Sequence, residues 1–338
     1  HHHGPGLQDR RRRGGAQFGC LPGLHQRHSL HHARLLIPGP LVNRQGFAIA
    51  GVGFELRCPH PSCDIRLPEP YSLFSAAPIP SPAQGVYEVL PASFSDRPLA
   101  AAAPLFAGSG LWRLGALPEN QLALDVCQPT TGRWFRAVIL ETDFSRGTFH
   151  AHERLGPDGP LFPLNHPHDQ LVIGNRLACL GMGLAHACGA VVDGRALLFC
   201  GRSGAGKTTI ARLWKRHGAY LLNDDRIVVH WKDGRAWASA TPWHGDEKEI
   251  HPETVPLGAV CHLHQAPENA LRELPPAQSV ARLLASSFTP FYLTDGTSRV
   301  LDTFSRVLET VPSFELDFTP DQRAVALCCA RVLPAMGK

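Results

Sequence analysis

A glycine-rich segment in the second half of the chain has the residue types and spacing of a phosphate-binding loop. Residues 201–208 match the pattern G-x-x-x-x-G-K-[ST] at every fixed position. Glycines let successive backbone N–H groups converge on phosphate oxygens without a Cβ in the way. Lys207 would reach the β- and γ-phosphates of ATP, and the Thr208 hydroxyl would bind Mg²⁺. The residues expected to bind the nucleotide are Gly201, Arg202, Ser203, Gly204, Ala205, Gly206, Lys207, Thr208 and Thr209.

Two adjacent carboxylates, Asp224 and Asp225, follow the next predicted strand. In open α/β sheets, ligands collect where the carboxyl ends of strands meet helix N-termini. One carboxylate could bind Mg²⁺ while the other takes the proton from an attacking hydroxyl. The alternative is a solvated turn in which Arg226 is the ion-pair partner.

Hydrophobic patterning predicts the elements that would position these residues. A strand at 196–199 leads into the loop, and a helix at 209–217 follows it, with Gly218 as its C-cap. This strand–loop–helix context makes the loop pattern specific. Further predictions are strands at 122–126, 134–140, 190–192, 221–222 and 227–231, and helices at 169–178, 277–287, 298–309 and 320–333.

The chain divides by composition into three predicted parts. Residues 1–85 are rich in His, Arg, Gly and Pro, with little hydrophobic periodicity, which predicts a disordered low-complexity segment. Residues 86–165 predict a small β-rich domain, and residues 166–335 an α/β catalytic domain with mixed strand directions.

Composition excludes several classes of protein. The net charge of +4 is small and its basic excess is concentrated near Arg10–Arg13, which argues against nucleic-acid binding. The sequence shows neither the ~18 apolar residues of a membrane span nor the order of a secretory signal, so we expect a cytoplasmic protein. Most of the ten cysteines lie in apolar segments, which indicates reduced thiols. Cys58, His60 and Cys63 have the spacing of half a zinc site, but a loop with incidental cysteines explains them better.

Residues 186–209, together with Leu222–Asp225, resemble the catalytic core of HPr kinase/phosphorylase. That family shares its fold with the ATP-dependent phosphoenolpyruvate carboxykinases, so the resemblance implies a phosphoenolpyruvate carboxykinase/HPr kinase-like α/β domain. It also implies that Asp225 is the general base and that His186 lies near the phosphates. With Asp225 as the base, Asp224 is the carboxylate that we expect to support Mg²⁺. HPr kinases form hexamers, which makes a homo-oligomer an expectation here.

The segment Thr241–Glu249 departs from the family pattern. The family has a glycine-rich loop with a metal-binding acid at this place, and the candidates here are Asp246, Glu247 and Glu249. Trp243 could grip an acceptor peptide at the surface or be a buried aromatic that stabilises the turn. The departures resemble a divergent branch of HPr-kinase-related proteins that accompany peptide-modifying gene clusters.

The sequence therefore predicts a kinase that transfers the γ-phosphoryl group of ATP to a Ser hydroxyl of a peptide or protein, with a modified-peptide precursor as one acceptor. Two alternatives remain open, namely an ATP-binding regulatory module without phosphoryl transfer and a small-metabolite kinase.

Overall fold

The computed structural model describes residues 43–59, 64–91, 102–108, 112–127, 134–151, 163–290 and 292–337. Eight strands in these ranges form a first, mixed sheet in the order β1-β2-β3-β8-β7-β6-β5-β4. They are β1 Asn43–Ile49, β2 Val52–Cys58, β3 Gly85–Pro91, β4 Ala103–Gly108, β5 Trp112–Leu117, β6 Gln121–Cys127, β7 Trp134–Glu141 and β8 Arg146–Ala151.

The first two strands lie where the sequence predicted disorder. The prediction that residues 1–85 lack a stable fold differs from the structure over 43–59 and 64–85; residues 1–42 and 60–63 lie outside the described residues. Phe47 and Phe54 stack with ring centroids 5.2 Å apart, and Tyr71, in a 3-10 helix at Tyr71–Phe74, meets Phe47 edge-on. Apolar residues spread among prolines hide their periodicity, yet they still bury their surface once strands bring them together.

Eight further strands form a second mixed sheet. They are β9 Gly183–Val192, β10 Arg195–Cys200, β11 Tyr220–Asn223, β12 Arg226–Lys232, β13 Arg235–Ser239, β14 Thr254–Gln265, β15 Ala270–Glu273 and β16 Ser313–Phe318. Strand β10 pairs antiparallel with β9 and parallel with β14, so the pairings of β10, β9, β12, β13 and β14 close on themselves. Strand β16 extends this sheet parallel to β14, which brings the carboxyl ends of β10, β14 and β16 to one edge.

Five α-helices lie in the described part of the chain. They are α1 His168–Cys179, α2 Lys207–Arg216, α3 Pro276–Ala285, α4 Thr294–Thr310 and α5 Gln322–Arg331. The strands predicted on either side of Asp193–Arg195 are confirmed as β9 and β10, and the helix after the glycine-rich loop is confirmed as α2. The described fold thus consists of mixed sheets with few helices. None of these helices combines the length and the apolar character that a bilayer crossing requires.

Free thiols are found at six of the described cysteines, four of which are buried. Cys58 is an exception, because it is disulfide-bonded, contrary to the expectation of reduced thiols. His60 and Cys63, which share with Cys58 the spacing of half a zinc site, lie outside the described residues.

Candidate functional site

The glycine-rich loop connects the end of β10 to the first residue of α2. Two of its glycines have backbone conformations that side chains rarely adopt, with φ of +81° at Gly204 and +100° at Gly206. A Cβ on Gly206 would in addition overlap the ring of Phe318. Phe318 is the last residue of β16, at the sheet edge where β10 also ends. The glycines are therefore needed for the shape of this turn.

The N-terminus of α2 presents unpaired backbone donors. Within the described ranges, the N–H groups of Lys207, Thr208 and Thr209 meet no hydrogen-bond acceptor, and the first helical bond runs from Ile210 to Gly206. Such donors and the helix dipole make a helix N-terminus a favourable place for an anion. Thr208 is half-buried at the second position of the helix.

Lys207 is buried, with 7% of its surface exposed, and folds back over the loop. Its Nζ donates to the carbonyl oxygens of Gly201 (3.0 Å) and Arg202 (3.2 Å). Burial lowers the pKa of Lys207, the nearby Arg226 cation lowers it further, and Asp224 acts in the opposite direction. Lys207 thus lies within electrostatic reach of the acidic segment.

The acidic segment Asn223–Arg226 turns between β11 and β12 around the side chain of Asn223. The Oδ1 of Asn223 accepts from the backbone N–H groups of Asp225 (2.8 Å) and Arg226 (3.2 Å), and its Nδ2 donates to the Thr241 carbonyl (2.8 Å). An Asn side chain that bonds the backbone two residues on is a common way to fix such a turn. The carboxylates of Asp224 and Asp225 consequently reach different partners.

Asp224 is 1% exposed and its carboxylate is bound by the backbone of the 241–249 segment. Its Oδ1 accepts from the N–H of Gly245 (2.6 Å) and its Oδ2 from the N–H of Glu247 (3.0 Å). A Cβ on Gly245 would lie 2.8 Å from the Asp224 Oδ2. Only glycine allows the backbone to approach the carboxylate this closely.

Asp225 contacts His186, which lies opposite on β9. The pairing of β12 with β9 sets Arg226 across from His186, and the His186 Nε2 lies 2.8 Å from the Asp225 Oδ1. Burial, followed by the cations of Lys207 and Arg226, lowers the pKa of His186 to about 4. The imidazole is therefore neutral at pH 7, and the contact is a hydrogen bond from its Nε2–H to the carboxylate rather than an ion pair.

Arg226 completes this group. Its guanidinium forms an ion pair with Asp225 and lies 4.2 Å from the centroid of the Phe288 ring, which also contacts the His186 ring. Burial lowers the pKa of Arg226 to about 10, so the group remains a cation at neutral pH. Phe288 is 41% exposed and lies at the solvent side of the pair.

A cavity of about 500 Å³ adjoins the glycine-rich loop at the carboxyl ends of β10 and β14. It is lined by residues 200–205 and 262–265 and by Arg282, Ala285 and Ser286. The Nε2 of Gln265 donates to the Gly204 carbonyl at 2.8 Å, which ties the cavity wall to the loop. Sequence reasoning missed this wall and Phe288, because neither carries a motif and both reach the site only through contacts between residues far apart in the sequence.

The acidic candidates of the 241–249 segment do not gather around Asp224 by their side chains. The carboxylate of Glu247 binds Arg212 (2.7 Å) and Lys215 (3.1 Å) on α2, and that of Glu249 binds Lys215 (2.6 Å). Asp246 is exposed. Across the described residues, no group of three or more His, Cys, Asp or Glu side chains has the geometry to bind a metal by itself. Trp243 is 6% exposed, which agrees with the buried alternative and not with a surface contact.

Comparison with known proteins found no match to a protein-family model and no match among curated proteins. Among solved structures, this chain is similar to the HPr(Ser) kinase/phosphatase from Coxiella burnetii, with 12% sequence identity and a TM-score of 0.29. The alignment covers 46% of this chain and 99% of that one. A likeness this weak carries no functional argument.

Proposed function

We propose that this chain is an ATP-dependent kinase that transfers the γ-phosphoryl group to a Ser hydroxyl of a peptide or protein. The observation that carries the proposal is that two groups lie close together. One is the glycine-rich loop with Lys207 and the unpaired N–H donors of α2, and the other is the Asp225 carboxylate with its partner His186. Lys207 is close enough to His186 to lower its pKa, and His186 donates to Asp225. Lys207, which would bind ATP, therefore interacts electrostatically with the His186–Asp225 pair, which would bind the serine.

On the donor side, the unpaired N–H groups at the start of α2 and the Lys207 ammonium would bind the β- and γ-phosphates. Lys207 would exchange its bonds to the carbonyls of Gly201 and Arg202 for phosphate oxygens. The exchange is favourable, because an ammonium binds an ionised phosphate oxygen more strongly than a neutral carbonyl oxygen.

The residues also fit a magnesium ion beside the phosphates. Each Asp224 oxygen accepts a single backbone N–H and so keeps a lone pair for a metal or a metal-bound water. Asp224 and the Thr208 hydroxyl would be its protein ligands. When bound, Mg²⁺ neutralises charge on the phosphates.

On the acceptor side, Asp225 would take the proton of the Ser hydroxyl while the serine oxygen bonds to the γ-phosphorus. The bond from that phosphorus to the bridging oxygen breaks, and ADP leaves with both electrons of the bond. The hydrogen bond from neutral His186 and the Arg226 cation keep Asp225 ionised and oriented. The Lys207 ammonium would stabilise charge that develops on the phosphoryl oxygens.

One observation favours a second candidate, an ATP-binding regulatory module. The Asp225 carboxylate already binds both His186 and Arg226, which reduces its capacity to accept a further proton from a substrate. In that case ATP binding would change the conformation of the chain without phosphoryl transfer.

Incubation with γ-labelled ATP, Mg²⁺ and an arrayed library of serine peptides separates the two candidates. The kinase labels at least one peptide, and Asp225→Asn abolishes labelling while retaining ATP binding. Asp233→Asn, in an exposed turn with φ of +51°, is the matched control and labels like the unmodified chain. Lys207→Ala should lose ATP binding under both candidates. Full labelling by Asp225→Asn would refute the general-base role, and ATP binding without any labelling would favour the module.

A further inference from the structure

Three buried polar side chains from distant parts of the sequence meet behind the acidic segment. The Trp243 Nε1 donates to the Tyr71 hydroxyl (2.9 Å) and to the Asp169 Oδ2 (2.9 Å), and the Tyr71 hydroxyl donates to the same Asp169 oxygen (2.8 Å). All three residues are at most 6% exposed. We call Tyr71, Asp169 and Trp243 the tryptophan cluster.

Trp243 places the cluster within the segment whose backbone binds Asp224. Only one residue separates Trp243 from Gly245, the first donor to the Asp224 carboxylate, and Glu247, the second donor, follows two residues later. Gly245 itself is exposed, so burial of its own surface does not keep it in place. The nearest buried and hydrogen-bonded side chain of the segment is Trp243.

The cluster also reaches Asp225 by way of charge. Burial lowers the pKa of Arg226, and the nearby Asp169 carboxylate opposes that shift. Arg226 is the ion-pair partner of Asp225. The Asp169 carboxylate therefore lies within electrostatic reach of the ion pair that includes the proposed base.

We propose that Trp243 is a positioning residue that sets the Gly245 and Glu247 donors on Asp224, with Tyr71 and Asp169 fixing the indole ring. The catalytic consequence of this placement rests on the proposed kinase function, whereas the placement itself does not. A residue from the first 85 positions, Tyr71, is thereby part of the support of the candidate site.

The placement is tested by amide hydrogen exchange at Gly245 and Glu247, measured by NMR. Trp243→Phe retains an aromatic ring but loses the N–H donor, and Tyr71→Phe loses only the hydroxyl. We expect exchange of both amides to accelerate about tenfold in either variant, the factor that loss of one charge-assisted hydrogen bond produces. Should Trp243→Phe fail to fold, Tyr71→Phe alone decides the question.

Two matched variants control for general effects of the substitutions. Trp237→Phe removes a bond from Trp237 Nε1 to the Lys232 carbonyl, and Tyr220→Phe removes one to Glu253. Both should leave exchange at Gly245 and Glu247 unchanged. Unchanged exchange in the cluster variants, or acceleration equal to that of distant core amides, would overturn the placement.

The catalytic consequence is tested with γ-labelled ATP and the serine-peptide library. Loss of a group that orients a metal ligand costs roughly 10–100-fold, so kcat should fall by about tenfold in Tyr71→Phe with little change in KM for ATP. A kcat equal to that of Tyr220→Phe would overturn this consequence. If the unmodified chain labels nothing, the kinase proposal fails, and the exchange experiment still decides the placement.

Discussion

The loop at residues 201–206 and the acidic segment Asn223–Arg226 are neighbours built in opposite ways. The loop leads to a helix start whose first N–H groups are unpaired within the described ranges, and Lys207 binds only two neutral carbonyls. In the acidic segment, both carboxylates and the Asn223 amide have partners at 2.6–3.2 Å.

This difference separates two tasks. A group that must bind an incoming anion gains most if its donors have no protein partner to give up. A carboxylate that must stay ionised and oriented gains from being bound in advance. We therefore expect the loop to be sensitive to substitutions that alter its backbone conformation. The acidic segment should instead be sensitive to substitutions that remove the hydrogen-bond partners of its carboxylates.

The largest expected effect is that of Gly206→Val. The side chain would require a φ of +100° and would overlap the ring of Phe318. Strain of this kind costs at least about 3 kcal/mol if the loop keeps its shape, so the loop should rearrange and ATP binding should be lost. Isothermal titration calorimetry measures the loss.

A control for Gly206→Val is Gly218→Val, after the end of α2. Gly218 has a φ of +96° but open space around the position of a Cβ, so it tests backbone strain without the overlap. This variant should lose stability and keep the affinity for ATP. Equal affinity for ATP in both variants would contradict the role given to the loop.

Gly245→Ala is the second largest change and acts on the acidic segment alone. The added methyl would lie 2.8 Å from the Asp224 Oδ2 and force the Gly245 N–H away from the carboxylate. We expect unfolding to be easier by about 2 kcal/mol, measured by urea denaturation. Phosphoryl transfer should fall further than ATP affinity does, and the reverse order would contradict the division of tasks.

The pH dependence of stability tests the electrostatic interaction of His186, the partner of Asp225, with Lys207. The pKa of His186 is lowered from 6.5 to about 4, so the unfolded chain binds this proton more readily than the folded one. The contribution of His186 therefore leaves stability unchanged above pH 6.5 and reduces it as the pH falls to about 4. After allowance for partial exposure of the ring, the loss is about 2 kcal/mol.

Two measurements check this pH dependence. The imidazole of His186 should titrate near pH 4 by NMR, and Lys207→Met should move its midpoint upwards because one neighbouring cation is removed. The loss of stability between pH 6.5 and 4 should be smaller in His186→Gln than in the unmodified chain. A midpoint that Lys207→Met does not move would show that the loop and the acidic segment are electrostatically independent.

The two regions also differ in how far sequence could predict them. The loop is local: strand, glycines, lysine and helix follow one another within residues 195–216, and the predicted strand and helix are confirmed as β10 and α2. The partners of the acidic segment come from residues 186 and 241–247, and Trp243 of the latter stretch is in turn bound by residues 71 and 169. The family resemblance suggested His186, and the 241–249 segment was considered for its acidic side chains. The backbone donors of that segment and its contacts with residues 71 and 169 were missed, because hydrogen bonds over such separations leave no periodic signal.

The same physical reason explains the errors in the fold. Strand β14, whose carboxyl end forms the cavity wall, was not predicted, although it pairs with β10 and β16. Its neighbours come from positions about 60 residues before and 50 after it, so the sequence around Val260 cannot show them. Strands β1 and β2 were missed because the surrounding prolines outweighed their few buried aromatic residues.

The smallest expected effect comes from a surface contact between α2, which follows the loop, and the 241–249 segment, whose backbone binds Asp224. The Lys215 Nζ on α2 binds the carboxylates of Glu247 (3.1 Å) and Glu249 (2.6 Å), and all three side chains are partly exposed. Lys215→Ala should lower the free energy of unfolding by about 0.5 kcal/mol at low salt, as surface ion pairs do. The difference should disappear at about 1 M salt, where the screening length is roughly 3 Å.

If Glu247 instead bound a metal ion beside Asp224, freeing its carboxylate from Lys215 would alter the Mg²⁺ concentration needed for ATP binding. We expect that concentration to stay the same, because the Glu247 carboxylate faces α2 while only its backbone N–H faces Asp224.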